Sequence, residues 1–158
     1  MMKSRHLQTQ WWDWLGTSER LMGNLREQTR ALVSRDVGAV ERIQAELDSM
    51  LTRMREIDEQ AAVSARKLAD ELGVDPTLRS LVGALSQAEA QQVQSLANRV
   101  RAAAASLETS ISKNRKLIEN EMTYVNGTLA LIAKSAQEQN AKYGGPSTAP
   151  AVLVDQVA

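Results

Sequence analysis

The chain has no cysteine, no phenylalanine, a single histidine and only three prolines in 158 residues. Without cysteine there is no disulfide framework, no thiolate nucleophile and no Cys-based zinc site. The lone histidine, His6, lies beside the N-terminus, with nothing nearby in sequence to position it as a general base. No glycine-rich phosphate loop, metal-spaced cluster or Glu-x-x-His pair occurs, and Glu119 and Glu121, two apart, fall on different helical faces. An enzyme is not expected, nor is a cofactor or a metal.

Charge of one sign is also missing. Nineteen basic residues balance nineteen acidic ones, for a formal net charge of zero. That removes the general attraction to nucleic acid or to an anionic membrane that a basic chain would have. Lys113, Arg115 and Lys116 come close together in sequence but do not share a helical face, so they predict a solvated surface and no nucleic-acid patch. Long hydrophobic runs are absent too. Nothing approaches the apolar stretch of about 18 residues that spans a bilayer. The start, MMKSRHLQTQWWDWLGTSE, has no sustained apolar run after its basic residues and does not read as a secretory signal. Stable membrane insertion is therefore not expected, and a cytoplasmic location is.

What remains is rich in Ala, Gln, Arg, Glu and Leu, the composition of long helices with thin seams. Leu7, Trp11, Trp14, Leu15, Leu21, Met22, Leu25, Leu32 and Val33 recur at helical steps. Asp36 offers an N-cap for a second helix. There Val40, Ile43, Leu47, Met50, Met54, Ile57, Ala61, Ala65, Leu68 and Leu72 alternate steps of three and four, a heptad-like seam closed by Gly73. Asp75 and Pro76 read as cap and first position of a short third helix. Ser86 and Glu89 have capping-box spacing at the start of the last. That last helix carries Val93, Leu96, Val100, Ala103, Leu107, Ile111, Asn114, Leu117, Ile118, Met122, Val125, Leu129 and Ile132.

No segment settles on a period of two, so the fold class expected is all-α. The architecture expected is an elongated antiparallel bundle of about three long helices with coiled-coil-like seams and a flexible C-terminal tail. The helices are expected at about 7–33, 36–72, 76–85 and 87–141, inside a helical domain over 1–142, with the flexible tail over 143–158. Trp11 and Trp14 share the first seam, while Trp12 points away from it. Lean, alanine-rich seams leave apolar surface that another amphipathic helix can cover. Self-pairing into a homodimer would cover the same surface. Asn114 takes a seam position, where one polar residue commonly fixes register or partner.

Three short stretches resemble one known family. Asn114, Leu117, Ile118 and Glu119 in NRKLIE resemble the Asn-Gly-x-Leu-[Leu/Ile]-Glu pattern of the FlgN-type flagellar export chaperones. Tyr143 and Gly144 resemble that family's Tyr-Gly-x-x-Gly element beyond the last helix, and ARKLADELGVD resembles its Arg-x-x-Leu…Leu-Gly stretch. Arg115 stands where the family has glycine, and Ser147 where the second glycine of the tyrosine element belongs.

The resemblance implies a cytosolic, non-enzymatic chaperone of flagellar type III secretion. It would bind the C-terminal helices of hook-associated junction proteins, prevent their premature assembly and deliver them to the export-gate protein. The apolar face of the last helix would take the client, through Leu107, Ile111, Asn114, Leu117, Ile118, Met122, Val125 and Leu129. Tyr143 and Gly144 would dock on the export gate. Gln139, Asn140 and Lys142 around Tyr143 are polar and leave its ring little to pack on, as suits an interface anchor. A homo-oligomeric coiled-coil adaptor, or a peripheral membrane protein using its tryptophans, are the alternative classes.

Overall fold

A computed structural model describes the backbone of residues 2–143 and the side chains of residues 2–139. The described residues form α1 (Arg5–Val33), α2 (Val37–Leu72), α3 (Leu78–Ala84) and α4 (Gln87–Tyr143), with no strand among them. The tail expected after Tyr143, Gly144 included, lies outside the described residues.

Local chemistry sets the breaks. Between α1 and α2 the chain turns through Arg35, whose φ of 57° is left-handed. Asp36 then starts α2, its carboxylate accepting from the Ala39 amide at 3.2 Å. Gly73, at φ 68°, closes α2 in the left-handed region that a side chain resists. The start of α3 differs from the sequence expectation. Its cap is Thr77, whose hydroxyl accepts from the Ser80 amide at 3.2 Å, and Asp75 and Pro76 precede it. The Asp75 carbonyl is taken by the Thr77 amide in a tight turn at 2.9 Å, which delays the first helical residue to Leu78.

The chain divides into two compact units, Met1–Asn114 and Arg115–Ala158. In the first unit α1 and α2 run antiparallel. Asp13 pairs with Arg53 at 3.1 Å, Asn24 donates to Glu46 and Gln28 donates to Gln44, so numbers rise on one helix as they fall on the other. The Gln87–Asn114 part of α4 runs parallel to α1. Ser4 meets Glu89, Trp12 lies under Arg99, Met22 meets Ser110 and Leu25 meets Asn114. The arrangement in this unit is therefore up, down, up, with α3 in the connection that reverses the chain.

Two apolar clusters fill the first unit. Trp14, Leu21, Leu25, Ile43, Leu47, Met54, Ile57 and Leu107 form the larger. Leu7, Ala61, Leu68, Ala69 and Leu81 form the smaller, with Trp11 against it. Leu21 and Ile57 keep 1% and 0% of their surface, and each such burial contributes about 1.5–3 kcal/mol before entropy is counted. In the second unit the described residues belong to a single element, the Arg115–Tyr143 part of α4.

Candidate functional site

The stripe expected to bind a partner runs through both units, and its residues meet different surroundings in each. In the first unit, Leu107 is buried in the larger cluster and Ile111 packs against it. Asn114 is 2% exposed and has partners for its whole amide. Its Nδ2 donates to the Leu25 carbonyl at 2.9 Å and to Gln28 Oε1 at 3.0 Å, and the Thr29 hydroxyl lies 2.6 Å from its Oδ1. Gln28 donates onward to Gln44 at 2.8 Å, and Gln44 to Asp48 at 3.0 Å. One polar chain thus ties α4, α1 and α2 together at a single level. A second tie holds the other end of the α1–α4 pair. Ser86 caps α4 by accepting from the Glu89 amide, but the Glu89 carboxylate does not return to Ser86 as a capping box would have it. It accepts instead from the Ser4 amide at 2.7 Å and hydroxyl at 2.6 Å, which caps α1 from another helix.

In the second unit, Leu117, Ile118 and Leu129 are half-buried, while Met122 and Val125 keep 56% and 44% of their surface. Ile132 and Leu131 are exposed at 58% and 68%, and Tyr124 is exposed as well. Ile118, Met122, Val125, Leu129 and Ile132 follow steps of four and three. Leu117, Tyr124 and Leu131, at steps of seven, make a second row beside them. Together the two rows cover an arc of about 180° at 100° per residue. Glu121 and Thr128 are its only polar members, and Arg115, Lys116, Glu119 and Lys134 project from the opposite side. Sequence reading took the first row and Leu117 but missed Tyr124 and Leu131; their seven-residue spacing from Leu117 was the signal that could have found them.

Such an arc has one chemical use. It can bury apolar surface against another amphipathic segment, with charged rims to orient it.

Elsewhere the first unit has a cleft of about 610 Å³ beside the start of α1 and the later part of α2, lined by Lys3, His6, Gln10, Glu59, Lys67 and Glu71 among others. Gln10 Oε1 is buried there without a hydrogen-bond partner. His6 is exposed, and among the described residues no group of three His, Cys, Asp or Glu could hold a metal. Burial pushes the Asp58 carboxyl above its usual range, while a hydrogen bond from Trp14 opposes the shift. No described helix is long and apolar enough to cross a membrane.

The backbone of Tyr143 is the last residue of α4; its side chain and Gly144 lie outside what the structure describes. A family model described as FlgN protein matches residues 2–151. The chain belongs to the FlgN family. FlgN proteins are flagellar export chaperones and not an enzyme family. No curated protein and no solved structure matched in the same comparisons. Within this FlgN chain the NRKLIE stretch straddles the two units, its Asn114 locked into the first and its Leu117 and Ile118 beginning the apolar arc of the second.

Proposed function

We propose that this FlgN protein is a cytoplasmic chaperone of flagellar type III export whose client site is the apolar arc of α4 from Leu117 to Ile132. Its clients are the C-terminal amphipathic helices of hook–filament junction proteins. The single observation that supports this most is the arc itself: two adjoining rows of large apolar side chains in a unit whose described residues include no second helix. Leu117, Ile118, Met122, Val125 and Leu129 line the groove edge. Leu107, Ile111 and Asn114 serve by holding α4 in the first unit. A client helix laid along the arc hides the segment with which it would otherwise polymerise, and delivery ends at the export gate, where Tyr143 and Gly144 dock.

Mechanism follows from the kind of contact. Apolar helix-in-groove packing without buried ion pairs can be undone stepwise at the gate, whereas a fully desolvated charge pair would be costly to separate. Titration calorimetry with a synthetic C-terminal helix of a junction protein tests the site. Leu117→Asp and Ile118→Asp are each expected to weaken binding by at least about a hundredfold, since an unpaired carboxylate at a buried contact costs about 3–5 kcal/mol. Far-UV circular dichroism of both variants should stay helical. Unchanged affinity in both would move the client site off this arc.

Tyr143→Ala is expected to retain melting temperature and client affinity and to lose affinity for the gate protein. A variant that melts early and binds the gate normally would remove the docking role.

A further inference from the structure

The three tryptophans of WWDW have different surroundings. Trp14 is buried in the larger apolar cluster and Trp11 packs on the smaller, while Trp12 keeps 53% of its surface. The Arg99 guanidinium of α4 lies over the Trp12 ring, its Cζ 5.4 Å from the ring centroid. We infer that Trp12 and Arg99 form an anchor, on the outer face of the α1–α4 pair, for an acidic segment of a partner protein that sets a carboxylate beside an apolar side chain. The anchor lies wholly within the first unit and is separate from the α4 arc, so it stands or falls independently of the client site.

The chemistry of the pair points to a carboxylate. A guanidinium held over an indole face keeps N–H donors at its edge, in a planar fork that two carboxylate oxygens match. Among the described residues no carboxylate pairs with Arg99. Its position is nevertheless fixed by the ring beneath it, so little freedom is lost when an anion arrives.

The surroundings carry one sign. Between Glu89 and Glu108, α4 has only two charged residues, Arg99 and Arg101. Glu89 itself is buried and taken by Ser4. On α1, Arg5 stands seven residues before Trp12, two turns away on the same face, and is exposed. Glu19, seven residues after Trp12, marks where this basic stretch ends. A shallow hollow of about 560 Å³ adjoins Arg99, lined by Gln91, Gln94, Ser95, Asn98 and Ala102. It gives an apolar side chain room beside the guanidinium, with amide and hydroxyl groups at its edge.

These features favour a protein partner over the other anionic surfaces. A lipid surface or a nucleic acid calls for a wider basic field than three arginines, and the chain has no net charge. Tryptophan and arginine, by contrast, are the residue types that most often dominate protein interfaces, through a large rigid contact and directional hydrogen bonds.

Short random peptides displayed on phage and panned on the full chain test the inference. Enriched sequences are expected to place Asp or Glu beside a large apolar residue. Calorimetry should then show at least about a tenfold loss of affinity with Trp12→Ala and with Arg99→Lys, which keeps the charge and removes the fork. Changing the acid of the peptide to its amide should cost as much. Both variants should melt within about 4 °C of the parent protein, as surface substitutions do. Arg99→Lys retains the cation and its stem, and keeps the test readable should Trp12→Ala unfold.

Enriched peptides that bind both variants as tightly as the parent, or panning that enriches no acidic peptide, would overturn the inference. Early melting of both variants with unchanged peptide affinity would make the pair a brace between α1 and α4 and overturn it too. Sedimentation with phosphatidylserine-containing vesicles covers the lipid source: capture that depends on Trp12, without acidic-peptide binding, would assign the anchor to a membrane and contradict the protein partner. Peptides seated on the α4 arc are told apart by losing affinity with Ile118→Asp instead.

Discussion

Up to Asn114 the apolar and polar residues of α4 find partners on other helices of their unit; from Arg115 on, the same periodicity continues and the described residues of that unit offer no second helix. Leu107 is buried among Trp14, Leu21 and Ile57, whereas Met122 and Val125, on the continuation of its stripe, are exposed. The residue types hardly differ between the two stretches. Periodicity marks a face that needs covering and leaves open whether the cover is part of the same chain.

The sharpest way to break this contrast is to truncate one residue in each region. Ile57→Ala or Leu21→Ala should destabilise the first unit by about 2–5 kcal/mol, the cost of emptying a packed site. Leu131→Ala should change stability by no more than about 0.5 kcal/mol, as surface substitutions do. Urea titrations followed by circular dichroism would compare them. A similar loss for Leu131→Ala would mean that the second unit is core as well.

Next in size is the tie at the boundary. Asn114→Ala leaves Gln28 Oε1 without its donor and removes one bond each from the Leu25 carbonyl and the Thr29 hydroxyl, which keep their mutual bond at 2.9 Å, and should cost about 1–3 kcal/mol. Gln28→Ala in the same background should then add less than it does alone, because the two act in one network. Full additivity in a double-mutant cycle would show that the two side chains act independently.

Much of the first unit was legible. The α2 seam put Ile43, Leu47, Met54, Ile57, Ala61 and Leu68 inside, and Asp36 and Gly73 punctuate that helix through the cap and the left-handed closure their residue types suggest. What was missed depended on partners far along the chain. Glu89 read as half of a local capping box, but its carboxylate reaches Ser4, eighty-five residues away. Asn114 stood out as a polar residue in a seam, yet nothing in the neighbouring sequence points to Leu25, Gln28 and Thr29. Thr77 was overlooked beside the stronger signals of Asp75 and Pro76, because the backbone turn that displaces the cap leaves no mark in the pattern. The stripe of the last helix was legible as a stripe, and its division at Asn114 was not.

The smallest effect concerns charge within the packed unit. Burial raises the Asp58 carboxyl above its ordinary value, against the hydrogen bond from Trp14. The folded protein then binds this proton more tightly than the unfolded chain, so the group's contribution to stability falls as pH rises through the acid range above the ordinary carboxyl value. Asp58→Asn keeps an acceptor for Trp14 and removes the charge. It should flatten that part of the stability–pH curve and leave neutral-pH stability equal or slightly higher, as read from melts between acid and neutral pH. A steeper curve in the variant would contradict the burial origin of the shift.

Amide hydrogen exchange compares both regions in one experiment. With a saturating junction-protein C-terminal helix, exchange is expected to slow across residues 115–132 and to remain unchanged across the α1 and α2 segments that hold Trp14, Leu21, Ile43 and Ile57. Slowed exchange in α1 and α2, with residues 115–132 unaffected, would place the client on the packed unit and contradict the assignment of the arc.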